Sequence, residues 1–149
     1  ATVRAMLSYP DFYKVGVSAA GNHDQRVYLA GWGERYIGLA NEPGYHNQDN
    51  TNFVDNLKGK LLLAFGDMDD NVHPSGTVLL VDALIKANKD FELLLLPNRN
   101  HSYVDDPYLT RRKWDFFVRH LRNENPPECY EIEGPNGDDG GRLQKTLTL

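Results

Sequence analysis

An α/β fold built on a parallel sheet is predicted by three features of the chain. Continuous apolar runs of strand length occur at 60–65 (KLLLAF) and 91–96 (FELLLL), with a shorter β-rich run at 14–19 (KVGVSA). Segments of helical character follow the second and third of these runs, at 74–88 and 107–123. The joins between them are short. Strand, helix, strand, helix in that order marks a parallel sheet with flanking helices, and apolar runs without polar alternation mark strands covered on both faces.

Taken in order, Thr2 to Leu7 has helical composition and Pro10-Asp11 ends it. The chain opens inside this helix without an initiator Met, which predicts a boundary or cleavage point at Ala1. After the 14–19 strand, Asn22 to Trp32 mixes polar and aromatic residues without clean periodicity. Glu34 to Asn56 is rich in Gly, Asn, Asp and Pro and reads as loop, with a short helix near Asn52 to Leu57. Pro74 suits a first helical position, and Val78, Leu79, Val81, Leu84 and Ile85 make a stripe through the following helix. Pro107 opens the last helix, with Trp114, Phe117, Val118 and Leu121 on one face. Residues 1–125 form the folded part on this reading. Residues 126–149, acidic and Gly-rich from Glu131 to Gly141, read as a flexible tail whose Leu143-to-Leu149 alternation could make an edge strand.

The composition excludes several function classes. A net charge of −5 without any Lys/Arg-rich run argues against a nucleic-acid partner or an anionic membrane. The longest apolar stretches are strand-sized, well short of a membrane span. Cys129 is the only cysteine, so neither an internal disulfide nor a cysteine metal cluster can form. No HExxH or comparable ligand pair occurs, and the Asp67-Asp69-Asp70 group lacks the Gly and terminal Glu of an EF-hand loop. No metal or cofactor is expected.

In open parallel sheets, ligands bind outside the carboxyl ends of the strands. Those ends fall at 19–23, 66–73 and 97–102, three loops rich in Asp, Asn and His. Asp69 follows one buried strand and His101 the next. A carboxylate that orients an imidazole, which then acts as general base toward a serine, is the logic of a catalytic triad. The α/β-hydrolase chain order is Ser, then acid, then His. Residues 32 positions apart can meet when they cap neighbouring parallel strands. By single-residue chemistry alone, the commoner role of an Asp such as Asp69 is an Asx turn or a helix cap before Pro74, and His101 is equally well an exposed loop histidine. His23 and His73, both at strand ends, are candidates for lining a pocket; His46 and His120 read as solvated or packing residues. A nucleophile in this order would precede Asp69, which leaves Ser8 and Ser18, and neither stands in a Gly-x-Ser-x-Gly elbow.

The segments described resemble the end of the prolyl oligopeptidase superfamily of serine peptidases, specifically its dipeptidyl peptidase IV branch. The resemblance rests on Gly66-Asp67-Met68-Asp69-Asp70-Asn71-Val72-His73, on Asn100-His101-Ser102 and on Glu34-Arg35-Tyr36-Ile37-Gly38-Leu39, and it covers about Ala1 to Leu121. It implies the C-terminal portion of an α/β-hydrolase domain, with Asp69 as the triad acid, His101 as its base, and a serine supplied from outside this chain. It further implies that Tyr28, Trp32 and Val72 belong to the pocket for the residue before the scissile bond, and that Asn71 binds the preceding backbone carbonyl. A peptide substrate, the missing upstream part of the domain and a β-propeller domain are the implied partners. Three positions depart from the family pattern. Trp32 replaces the usual Tyr, Gly21-Asn22-His23-Asp24 replaces a more apolar stretch, and Ser102 replaces the common Gly after the histidine. A bulkier wall at Trp32 predicts a narrower pocket favouring a small or flat side chain.

The resulting expectation is a dipeptidyl-aminopeptidase-like enzyme in which this stretch carries the acid and base and is inactive by itself. A carboxylesterase or acylaminoacyl-type hydrolase, and a non-catalytic homologue that keeps the pocket as a binding surface, are the alternatives. The 14–19 strand is expected to be an open sheet edge, through which copies of the chain could pair as homo-oligomers.

Overall fold

A computed structural model describes residues 1–39 and 43–132. Three strands form one parallel sheet in the order β1 (Val15–Ala19), β2 (Lys60–Gly66), β3 (Glu92–Leu96). Val15 pairs with Lys60 and Ala19 with Ala64 on one side of β2; Leu62 pairs with Glu92 and Gly66 with Leu96 on the other. The central strand is therefore the most apolar one, and every residue from Leu61 to Gly66 is buried.

Alternation along β2 divides the core into two layers. Leu61 and Leu63 pack on Val3, Met6 and Leu7 of α1 (Thr2–Ser8), on Val54 and Leu57 of a 3₁₀ segment (Asn50–Asn56), and on Leu80 and Leu84 of a helix at Ser75–Lys86. Ala64 faces the opposite way, into a smaller cluster with Leu96, Tyr103 and Leu109. Leu109 belongs to the final helix, Pro107–Phe117, which Asp106 caps through the amides of Tyr108 and Leu109 and which runs on into a π turn, Val118–Arg122.

The predicted strands are present in order, while helices occupy parts of the 34–56 stretch read as loop and the end of the non-periodic stretch before it. Two helices lie there, α2 (Ala30–Ile37) and α3 (Pro43–Gln48). Glycine content hides α2 in the sequence, but Gly33 is required by packing, since a Cβ there would stand 2.5 Å from the Tyr45 hydroxyl. Gly38, at φ 99, ends the helix in a conformation that favours glycine. With α2 and α3 in place, the helix at Ser75–Lys86 is α4 and that at Pro107–Phe117 is α5.

The buried face of α4 is also rotated from the predicted stripe. Gly76, Thr77, Leu80 and Leu84 face inward, whereas Val78, Leu79 and Ile85 are exposed. Small residues at 76 and 77 let the first turn of α4 approach the segment after β1, where Val27 and the amide of His23 lie nearby. On α5, Leu109 and Phe116 take the buried positions and Trp114 points outward, as does Leu121 of the π turn. On β3, Leu93 and Leu95 are exposed on one face. The tail assigned from 126 onward falls largely at 133–149, outside the described residues. Within 126–132, the Tyr130 hydroxyl donates to Asp115 at 2.7 Å and its carbonyl accepts from Arg111.

Candidate active site

The β2 and β3 ends are stitched together before any functional side chain is placed. The amide of Met68 donates to the carbonyl of Arg99 at 3.1 Å, and the amide of Asn98 to the Asp67 carboxylate at 2.6 Å. Gly66 lies against Arg99 so closely that a Cβ would collide with the Arg99 carbonyl oxygen. Arg99 in turn is tied to Asp106, the cap of α5, at 3.0 Å. Backbone contact of this kind fixes the two loops to one another.

Asp69 and His101 meet across this seam. The imidazole Nδ1 stands 2.9 Å from one Asp69 carboxylate oxygen and 3.1 Å from the other. A carboxylate can only accept, so Nδ1 donates and Nε2 is left with its lone pair free to take a proton. The Asp69 side chain is 1% exposed and that of His101 37%, which buries the acid and leaves the base reachable. Asp69 Oδ1 also accepts from the amides of Asn71 at 3.0 Å and Val72 at 2.8 Å. The Asx-turn role open to this residue is thus real, and it coexists with the contact to His101: the turn aims the carboxylate.

Tyr103 supports the base from beneath. It lies two positions after His101, is 3% exposed, and donates its hydroxyl to the carbonyl of Ala64 at 3.2 Å. Burial, with a smaller push from the nearby Asp69 charge, raises its phenol to about 12, so it stays a neutral donor. The aromatic wedge pins the His101 loop to the central strand.

The remaining predicted residues are placed unevenly. Asn71 and Val72 belong to the Asp69 turn, and the Tyr28 hydroxyl donates to Asn71 Oδ1 at 3.0 Å, so these three come together beside the acid. Trp32 is 53% exposed and packs within α2 on Tyr36, ring centroids 4.7 Å apart. Ser8 ends α1, Ser18 lies inside β1 opposite Leu63, and neither bonds to His101. His73 is exposed and binds Ser75 at the start of α4. His23 is buried at 3% exposure instead of lining a cleft. Asn50 Nδ2, a donor, stands 3.1 Å from His23 Nδ1, so the ring proton sits on Nε2. Burial lowers this imidazole to about 4.

Tyr103, Arg26, Asp49 and Asn50 take part in holding these loops, and reading the residues one by one did not single them out. The one signal in the sequence is Gly21-Asn22-His23-Asp24, polar where the family pattern is more apolar; its partner at 49–50 is more than twenty residues away.

The sequence and the fold have counterparts among known proteins. A model of the prolyl oligopeptidase family matches residues 1–124. "Dipeptidyl peptidase family member 1" of Caenorhabditis elegans is 40% identical over 92 residues, covering 61% of this chain and 11% of that protein. Human dipeptidyl peptidase 8 is 29% identical over 106 residues, covering 68% of this chain and 12% of that protein. The crystal structure of Porphyromonas gingivalis dipeptidyl peptidase 4 superposes with a TM-score of 0.75 at 29% identity, over 80% of this chain and 18% of that one. The chain spans about a tenth of the length of these two relatives and 18% of that of the solved structure.

Proposed function

The chain belongs to the prolyl oligopeptidase family, and we propose that it is the acid–base part of a dipeptidyl-aminopeptidase-like serine peptidase. The observation that carries this reading is the contact of buried Asp69 with His101 Nδ1 at 2.9 Å, at the carboxyl ends of neighbouring parallel strands. Asp69 holds the imidazole in the tautomer whose Nε2 accepts the proton of a serine hydroxyl. The serine attacks the peptide carbonyl, His101 returns that proton to the leaving amine, and water then releases the acyl group by the same route. The serine comes from outside residues 1–149, which contain no Gly-x-Ser-x-Gly elbow. Tyr28, Asn71 and Val72, with Trp32 at the start of α2, form the wall that receives the substrate next to the scissile bond.

The test is turnover of Gly-Pro and Ala-Ala chromogenic substrates by the full-length protein that carries this chain. His101→Ala is expected to lower kcat by about 10⁶-fold and Asp69→Asn by about 10⁴-fold. Residues 1–149 expressed alone are expected to show no turnover. Undiminished activity in either variant would refute the assignment, and turnover by the isolated chain would place the nucleophile at Ser8 or Ser18.

A further inference from the structure

The segment from Gly21 to Tyr28 leaves the carboxyl end of β1 and delivers the tyrosine that meets Asn71. Its fully buried residues are polar: His23 and Asp24, at 3% and 6% exposure. They face two consecutive polar residues that are equally buried, Asp49 at 2% and Asn50 at 6%, at the junction of α3 with the next 3₁₀ segment. The His23 carbonyl accepts from the Asn50 amide at 2.9 Å, and the two side chains meet at 3.1 Å. Arg26 reaches between the two carboxylates. Its Nε donates to Asp24 at 2.9 and 3.1 Å, and its terminal nitrogen donates to Asp49.

Each carboxylate also organises its own turn. Asp24 accepts the amide of Arg26 at 2.9 Å, and Asp49 accepts the amide and hydroxyl of Thr51 at 2.8 and 2.7 Å. Gly21 completes the fold of the segment, because a Cβ there would lie 2.5 Å from the His23 ring and 2.8 Å from the Ser18 hydroxyl. Two buried carboxylates that share the fork of one half-exposed guanidinium are held in both direction and distance. Arg26 lies within the 3₁₀ turn Gln25–Val27, and the amide of Tyr28 closes that turn by donating to the Gln25 carbonyl, so the clamp holds the turn that delivers Tyr28.

We propose that His23, Asp24, Arg26, Asp49 and Asn50 form a polar clamp that sets the position of Tyr28 against Asn71 and thereby governs substrate affinity, while leaving the Asp69–His101 pair untouched. The clamp residues are positioning residues, and the inference rests on the peptidase reading only in taking Tyr28 and Asn71 as part of a substrate wall.

Arg26→Gln in the full-length protein is the test, because it removes the cation that bonds both buried carboxylates. KM for a Gly-Pro chromogenic substrate is expected to rise about tenfold or more with kcat changed less than about threefold. Arg26→Lys should fall between Arg26→Gln and wild type, and Arg26→Gln combined with Asp49→Asn should recover part of the KM loss by removing one unpaired charge. In a crystal structure of Arg26→Gln, the Tyr28–Asn71 bond should be broken and the Asp69–His101 bond kept. KM within about twofold of wild type, or kcat falling in step with kcat/KM, would overturn the proposal. A wild-type protein without peptide turnover would defeat the peptidase reading; the crystal structure then decides the clamp, with an intact Tyr28–Asn71 bond in Arg26→Gln refuting it. Should Arg26→Gln fail to fold, Arg26→Lys carries both measurements, and a Tyr28–Asn71 distance and KM equal to wild type would overturn the inference.

Discussion

Lowering the pH titrates His23 in the unfolded chain well before it does so in the folded one. Free imidazole has a pKa near 6.5, and burial brings that of His23 down to about 4. The folded state therefore resists a proton that the unfolded state accepts, and stability must fall as pH falls. Above pH 7 both states are neutral and the group contributes no pH dependence. Below 6.5 the loss accumulates by about 1.4 kcal/mol per unit, reaching about 1.4 kcal/mol at pH 5.5, about 2 kcal/mol at pH 5 and about 3 kcal/mol near pH 4. Protonation also turns Nδ1 into a donor, so it can no longer accept from Asn50 Nδ2. The neighbouring carboxylates of Asp24 and Asp49 titrate as well, so the informative quantity is a difference. Urea denaturation of wild type and His23→Asn from pH 7.5 to 4.5 should show the wild type losing stability relative to the variant by those amounts. Parallel curves would show that His23 takes up its proton equally well in both states, and the account of a buried neutral imidazole would then be wrong.

Further outcomes follow from the same packing. Leu63→Ala, at a fully buried position of the central strand, should cost about 2–5 kcal/mol in denaturant unfolding. Tyr103→Phe removes only the hydroxyl bonded to the Ala64 carbonyl and should cost about 1–3 kcal/mol in denaturant unfolding. Gly66→Ala drives a methyl into the Arg99 carbonyl and should destabilise by about 1–3 kcal/mol; a crystal structure should show His101 withdrawn from Asp69. Both outer strands of the three-stranded sheet lack a second neighbour among the described residues, and β3 exposes Leu93 and Leu95. Light scattering of the 1–149 chain at several concentrations is expected to show self-association, and a monomer at every concentration would refute that.

The three strands were legible because strand and buried-strand patterns are local. KLLLAF and FELLLL announce themselves within six residues, and their carboxyl ends bring Asp69 and His101 to neighbouring loops once a parallel connection is assumed. The motif resemblance named the acid and the base for the same reason, since each motif is a short contiguous string. The helices at 30–48 were not legible, because Gly31, Gly33 and Asn47 argue against helix locally and only packing such as Gly33 on Tyr45 makes the conformation pay. Nor was the buried face of α4, where the sequence offers more hydrophobic residues than the sheet can cover. The contact geometry decided that Gly76 and Thr77 go inward and Val78 and Leu79 remain outside. The clamp of His23 and Asp24 on Asp49 and Asn50, and the seat of Tyr103 under the site, belong entirely to the tertiary structure. Sequence periodicity records what a residue needs from neighbours three or four positions away; it carries no record of which of two distant polar segments will be buried together, because that depends on where the sheet and helices have already placed them.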